Sequence, residues 1–415
     1  ITFEPGFGVQ NVRLAGEWHG FELATATSMA GPTAGGEYAA TVSLPPGLWA
    51  YKVVYDQGGE VWALNPSEVR RKYVGGIENS AIKVADCSLP SLSVGATAAT
   101  RPFPGQGRFT ASLGYVAPES GSGPDVSGYQ VTRSKGGEPQ TLGAGAVTIE
   151  PDGDVVLDID GLADGKYRLA VRPRSQSGKL GEPLLLPFWI EAQPFSWDGA
   201  LVYMVLTDRF RNGSTANDPA PIAGADPRGD FQGGDLEGLR QAIADGSLDA
   251  LGVKAIWLTP FQTNPSQAYL ASDGVTQVTG YHGYWPVKAR EVDPRLGGEA
   301  ALRAMVKEAH AHGIRVLMDY VINHVHEDHE YMQSNPEWFR TGCVCGTANC
   351  DWTTHALDCM FAGYMPDINH SVPEANKQFN DDAVWWLDEF DLDGLRVDAV
   401  KHVEEVATRN LSAEV

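Results

Sequence analysis

From residue 201 onward the chain alternates short apolar strands with amphipathic helices, and this repeat restricts the possible folds more than any other feature. LVYMVLT (201–207), KAIWLTP (254–260), IRVLMDY (314–320) and GLRVDA (394–399) read as strands, rich in branched and aromatic residues. Between them the apolar spacing predicts helices near 236–250, 299–312 and 373–390. Repeated strand–helix units build a parallel sheet or barrel, because each helix carries the chain back to the same end of the sheet.

Upstream of PFSW (194–197) the pattern is different. Residues 1–86 hold short alternating runs, NVRLAG, YAATVSL, WAYKVVY and AIKV, cut by Gly and Pro turns, which is a β-sandwich pattern. Residues 87–192 are Gly-, Ser- and Pro-rich at 95–128 and carry strand-like GYQVTRS, DVVLDI and YRLAVRP. They read as a second sandwich, of immunoglobulin or fibronectin type, whose role is positional because nothing in it converges on a site.

The net charge of −22 and pI near 4.8 exclude an ordinary nucleic-acid or anionic-membrane binder and suit a neutral substrate. No stretch approaches 18 consecutive apolar residues, so no membrane span is expected. The chain starts at Ile1 without a basic-then-apolar leader, and a mature protein is expected. Four of five cysteines fall in CVCGTANCDWTTHALDC (343–359). The spacing lacks the paired C-x2-C of most structural zinc sites, which favours two disulfides over zinc and an oxidising compartment. Cys343 and Cys345 are too close to bond each other comfortably, so each is expected to pair with Cys350 or Cys359, in an order left open. Cys87 is left over as a thiol without a functional reading.

The chemistry concentrates in GLRVDAVKH (394–402). Strand alternation puts Arg396 and Asp398 on one face, and a guanidinium charged at every working pH can keep the neighbouring carboxylate ionised, as a nucleophile requires. DYVINHV (319–325), MPDIN (365–369) and GYHGYWP (280–286) accompany it. In this order and spacing the four segments resemble the alpha-amylase family of glycoside hydrolases, retaining enzymes built on a (β/α)8 barrel. The resemblance implies a fold of two N-terminal β-sandwich domains, 1–86 and 87–192, followed over 193–415 by the first half of a TIM barrel. A loop-rich domain, about 326–372, is inserted after the third strand.

By that resemblance Asp398 is the nucleophile and Arg396 aligns it. His324 and His282 hydrogen-bond the sugar, Tyr284 stacks beneath it with Trp285 alongside, and Asp319 orients Arg396 and the pocket. Lys401 and His402 touch the leaving-side sugars. Thr259 stands at another strand end. Calcium is implied at Asn323, Asp367 and the His402 carbonyl, since it takes six to eight hard oxygens. A second set, Asn212, Ser214, Asn217, Asp218, the Gly233 carbonyl and Asp235, resembles a calcium loop of cyclodextrin-forming relatives, or is an Asx-rich turn.

The first module also resembles the starch-binding N-terminal modules of isoamylase-type enzymes, in VRLAGEWHGFE, LPPGLWAYKVVYDQGGEVWALNP and ENSAIKV. Lys52, Trp62 and Asn79 match its sugar face, while Phe21 stands where a Trp is expected. The reading reached is a secreted or periplasmic retaining hydrolase of α-1,4-glucans. Glucan transfer within the same family, or non-catalytic glucan binding, are the alternatives. Four barrel strands need four more, so the barrel and its acid/base Glu are expected beyond Val415. Glu404, Glu405 and Glu414 are not assigned that role.

Overall fold

The computed structural model describes residues 1–415. The first strands are β1 (Gln10–Gly16), β2 (Gly47–Asp56), β3 (Glu60–Ala63), β4 (Arg70–Val74) and β5 (Ile77–Val84). Six more follow: β6 (Ser91–Thr100), β7 (Gly107–Val116), β8 (Gln130–Lys135), β9 (Val155–Leu162), β10 (Gly165–Arg172) and β11 (Leu184–Ile190). The strand–helix region runs β12 (Leu201–Val205), α1 (Leu236–Ala244), β13 (Val253–Leu258), α2 (Gly298–Ala311), β14 (Arg315–Val321), α3 (Pro373–Phe390), β15 (Gly394–Asp398) and α4 (Glu405–Glu414).

The chain divides into two compact units, one of residues 1–86, 321–384 and 397–415, the other of 87–320 and 385–396. In the first, a six-stranded sheet runs Thr27–Ser28, β1, β2, β5, β4, with β3 also paired to β2. Alternation along β2 sends Tyr51, Val53 and Tyr55 into a core shared with Phe3, Val12, Leu14 and Tyr38. Lys52 and Val54 therefore point to the opposite face of the sheet, where Lys52 is half-buried and Val54 is covered.

Strand β4 is an edge, and a side chain closes it. The Arg71 N–H donates to Asn410 Oδ1 on α4 (2.9 Å), and the Arg71 carbonyl accepts from Asn410 Nδ2 (2.9 Å). Asn410 Nδ2 also reaches Asn376 Oδ1 (2.7 Å), the Asn376 amide meets His370 Nδ1 (3.3 Å), and His370 Nε2 meets the Ile322 carbonyl (2.7 Å). Asn410, Asn376 and His370 are all buried. A chain of buried polar groups thus runs from the N-terminal sheet to the residue preceding Asn323 and His324.

In the second unit, residues 91–190 form two four-stranded antiparallel sheets. Their orders are Val147–Ile149, β9, β7, β6 and Glu138–Gln140, β8, β10, β11. Both sheets contribute to one core, with Phe109, Leu113, Leu157, Tyr167, Leu169 and Phe188 at its centre. A further sheet runs β12, β13, β14, β15, in which β12 pairs with β13 and β13 with β14 in parallel. Helix α1 buries Leu236, Leu239 and Ile243, and α2 buries Leu302, Met305, Val306 and Ala309, the three-and-four spacing of an amphipathic helix.

The expected helix over 236–250 is broken in two. Gly246 takes φ +78°, a left-handed turn that glycine adopts without strain, and a short helix restarts at Ser247–Leu251. The other two helices lie within a residue of their expected bounds.

Asn410→Ala leaves the Arg71 N–H and carbonyl and the Asn376 carbonyl oxygen without their shared partner. It is expected to lower unfolding free energy by about 1–3 kcal/mol in denaturant melts. Lys377→Ala on the exposed side of α3, which loses only an exposed pair with Asp381, should change it by less than about 0.5 kcal/mol.

Candidate active site

Asp319 lies in β14, a strand buried on both faces, and is itself inaccessible to solvent. Its Oδ2 accepts from the Tyr284 hydroxyl (2.7 Å) and Trp257 Nε1 (2.9 Å), and Arg396 Nη1 reaches Oδ1 at 2.9 Å and Oδ2 at 3.1 Å. The Arg396 guanidinium also lies over the Trp257 ring, 4.5 Å from its centroid. Burial pushes the Asp319 carboxyl above its usual range, against the pull of Tyr284, Arg396 and Trp257. The three donors come from three different segments, so this one carboxylate ties β13, β14, β15 and the 280–286 loop together.

Around Tyr284, the His282 Nδ1 accepts the Tyr284 N–H (3.0 Å), and the Trp285 N–H donates to Asn264 Oδ1 (2.9 Å). Gly283 is required: at φ +89° a Cβ would lie 1.9 Å from the Pro260 carbonyl oxygen. Trp285, expected alongside the sugar, is instead 6% exposed and packed edge-on against His282 and Tyr269. It supports His282 from behind. Thr259 is also buried, where its hydroxyl accepts the Thr207 N–H at 3.3 Å.

Two residues after Arg396 stands Asp398, half-buried at the end of β15. The next residue, Ala399, takes φ 51° and ψ 28°, a left-handed conformation costing an L-residue of order 1–3 kcal/mol. Strain of this kind collects where backbone is held for function. Lys401 is exposed.

The first unit holds a second cluster. Asn323 and His324 are buried, with Asn323 Nδ2 3.2 Å from His324 Nδ1, and His324 pairs by backbone with Asp367. Asn323 Oδ1 and Glu404 Oε2 are buried without a hydrogen-bond partner. Arg340 binds Asp367 (3.0 Å), Asn369 Oδ1 (2.7 Å), the Leu357 carbonyl (2.7 Å) and Glu404. Burial still drives the Asp367 carboxyl up to about 8, more than Arg340 lowers it. A buried amide oxygen and a buried carboxylate oxygen without a donor are the kind of atoms a hard cation takes as ligands.

The six-residue loop set is gathered but closed. Asp235 caps α1 and its oxygens accept from the backbone N–H of Gly213, Ser214 and Gly238 and from Asn217 Nδ2. Asn212 Nδ2 binds both oxygens of Asp218, and Gly233 packs against both residues, where a Cβ would meet them at 2.5 and 2.7 Å. With four N–H donors on it, Asp235 makes the hydrogen bonds of an Asx-rich turn.

Disulfides join Cys343 to Cys350 and Cys345 to Cys359, so both sulfurs near His355 are spent, and Cys87 lies outside both disulfides and is exposed. The loop they close carries Trp352, 49% exposed, which lies with Phe361 beside the His402 ring at centroid distances of 5.5 and 5.0 Å. His402 Nδ1 is 3.0 Å from the Ala356 carbonyl. Sequence reading did not single out Trp352, Phe361, Trp257 or Arg340. An exposed Trp between two cysteines was the available signal for the first.

In the N-terminal sheet, Trp62 pairs across from Val54, so it shares the face of Lys52 and Val54. Its ring is 40% exposed, which removes it from the core, and its Nε1 donates to Glu60 (2.8 Å). Asn79 corrects the expectation of a sugar contact. It is 3% exposed and its amide donates to the Ile77 and Lys72 carbonyls. Phe21 is half-buried.

A parallel strand–helix sheet with a buried carboxylate–arginine pair near its strand ends defines a class, the enzymes that carry their acids at strand termini. Within it, residues 204–340 match the model of the alpha amylase catalytic domain, and the resemblance read from the four motifs is to this family. The cyclomaltodextrin glucanotransferase of Bacillus sp. (strain 6.6.3) is 32% identical over 230 residues, 51% of this chain and 31% of that protein. The periplasmic alpha-amylase of Escherichia coli (strain K12) is 41% identical over 135 residues, 32% of this chain and 20% of that one. The chain spans about a third of the length of the curated glucanotransferases it matches. Among solved structures, the alpha-amylase from Geobacillus thermoleovorans aligns with TM-score 0.44 and 29% identity over 53% of this chain and 44% of that one.

Tyr284→Phe removes one donor from the Asp319 carboxylate while keeping the ring. Unfolding free energy is expected to fall by about 1–3 kcal/mol in urea melts. Tyr269→Phe, whose hydroxyl bonds the exposed Gln267, should change it by less than about 0.5 kcal/mol.

Proposed function

We propose that this chain is the nucleophile-bearing part of a retaining enzyme acting on α-1,4-glucans, with its strand–helix region forming half of a (β/α)8 barrel. The observation that carries the reading is the Asp319 cluster, which fixes Arg396 two residues before Asp398. In the reaction the Asp398 carboxylate attacks the anomeric carbon and forms a glycosyl ester as the leaving sugar oxygen takes a proton; water then cleaves the ester. Arg396, immobilised by two bonds to Asp319 and by the Trp257 face, keeps its charge on the Asp398 side of the strand. Tyr284 presents a ring face and His282 an imidazole nitrogen to the sugar, while His324, given the same role by the resemblance, is buried beside Asn323. The proton donor, about 5–5.5 Å from the nucleophile in a retaining pair, belongs to barrel strands outside these four.

Transfer of the glycosyl group to a second sugar is the alternative outcome of the same intermediate. The exposed Trp352 with Phe361 and His402 favours it, since an aromatic platform on the leaving side holds an acceptor in competition with water. Calcium held by Asn323, Asp367 and the His402 carbonyl belongs to this reading, supported by the orphaned Asn323 Oδ1 and the buried Asp367 carboxyl, and it would neutralise these oxygens and anchor the inserted loops. The face of Trp62 and Lys52 is a glucan contact. Two disulfides, with no helix long and apolar enough to cross a membrane, favour a secreted or periplasmic location.

Asp398→Asn in the full-length enzyme should abolish starch turnover, to below a few percent of wild type, while maltooligosaccharide binding by calorimetry persists. Turnover that survives in contaminant-free protein removes Asp398 from the nucleophile role. Dialysis against EDTA should lower the melting temperature and added calcium should restore it, because an ion at a hundredfold its Kd contributes about 2.7 kcal/mol to the folded state. An unchanged melt excludes the cation and leaves the catalytic reading intact.

A further inference from the structure

The second β-module touches the strand–helix region at several points, through Arg168, Trp189 and Glu191 and through one buried lysine. Lys166, on β10 and 5% exposed, points its ammonium at the turn Asp391–Leu392–Asp393 that leads into β15. Nζ lies 2.8 Å from the Asp391 carbonyl, 3.0 Å from the Leu392 carbonyl and 3.0 Å from a carboxylate oxygen of each of Asp391 and Asp393. The two carbonyls accept hydrogen bonds from the ammonium, and the two carboxylates lie at ion-pair distance. Asp391 itself sits at φ 56°, so this turn is held in a conformation few L-residues adopt.

Asp393 relays the contact. Its Oδ2 accepts the Val316 N–H of β14 (2.8 Å) and meets His310 Nε2 of α2 (2.9 Å), and its own N–H donates to the Val316 carbonyl (2.9 Å). Val316 to Asp319 and Asp393 to Arg396 are the same three-residue step along adjacent strands. The register that Asp393 sets at the start of β15 is therefore the register in which Arg396 meets Asp319. Burial works against the Asp393 charge, but His310, Lys166 and the Val316 N–H outweigh it and hold the carboxyl below its usual range. Arg168, next along the outward-alternating side of β10, binds Asp388 at the end of α3 and lies 3.8 Å from Asp391.

We propose that Lys166 is a positioning residue for the reaction. Supplied by a module that otherwise contributes no chemistry, it holds the Asp391–Asp393 turn and through it the register of the strand bearing Arg396 and Asp398. The proposal rests on the catalytic reading of those two residues, and its test has a part that does not.

Lys166→Met removes the ammonium that two buried carboxylates share, and Lys166→Gln keeps donors for the carbonyls but drops the charge. Both are compared, in the full-length enzyme, with Leu169→Ala in the module core. Hydrogen exchange of peptides covering 391–398 is expected to speed up at least about tenfold in the Lys166 variants and not in Leu169→Ala, since only the former loosen the turn. The kcat on maltooligosaccharide should fall about tenfold or more with KM within about twofold, and Leu169→Ala should keep kcat at a comparable loss of melting temperature. Adding Asp391→Asn to Lys166→Met should recover part of the lost melting temperature, because it removes one of the two carboxylate charges, and this double variant replaces Lys166→Met if the single one does not fold. Unchanged exchange over 391–398, or equal loss of kcat in Leu169→Ala, overturns the proposal. If Asp398→Asn retains activity the catalytic reading fails, while exchange still decides what Lys166 holds.

Discussion

The strand–helix region depends on a carboxylate that is inaccessible to solvent. An ion at the Asp319 position would be excluded from the interior unless its charge were answered from within the protein. Arg396, Tyr284 and Trp257 answer it with donors from three segments, and Trp257 also lends its ring face to the Arg396 cation. The geometry is mutually restrictive, because a guanidinium committed to Asp319 on one side and stacked on an indole has little freedom left. Its remaining N–H groups and its charge are then fixed relative to Asp398, two residues along the same strand. In the proposed reaction, electrostatic preorganisation of this type would act without any reorganisation.

What could be read from the sequence was whatever repeats or clusters over short distances. The strand–helix period located three helices and four strands, and strand alternation placed Arg396 beside Asp398. The long-range partners were not legible. Trp257 reads as one more apolar residue in a strand, Arg340 as a loop cation, and Lys166 as a surface lysine on an outward position of a spacer. Their roles arise from residues 62, 27 and 225 positions away, which no local spacing encodes. Strand β6 was hidden for a different reason. SLSVGATAAT is exposed almost throughout, so it shows no apolar alternation, and it pairs by backbone with β7 alone. Asn79 and Trp285 sit at positions that the motifs mark for sugar, yet burial has turned both toward structural partners.

Neither β-module behaves as a bead on a string. The N-terminal sheet is joined through Asn410, Asn376 and His370 to the backbone just before Asn323 and His324, and the second module reaches the base of β15 through Lys166. Buried amide and ammonium groups are poor sources of net stability, because desolvation offsets most of what their bonds return. They are good at selecting one arrangement among several of similar hydrophobic content, since any slip leaves a polar group unmatched. Both connections end next to strand termini, where small displacements matter most to chemistry.

The grip of Asn410 on strand β4 has a further meaning outside the folded monomer. An edge strand exposes alternate N–H and carbonyl groups that can pair with a strand from another molecule. By taking both groups of Arg71 with one carboxamide, α4 occupies the start of that five-residue edge as a neighbouring strand would. A helix from the far end of the chain, 339 residues away, thus hinders the first sheet from recruiting copies of itself. During synthesis that sheet emerges long before its guard does, so the interval before α4 arrives is when this protein is most open to self-association.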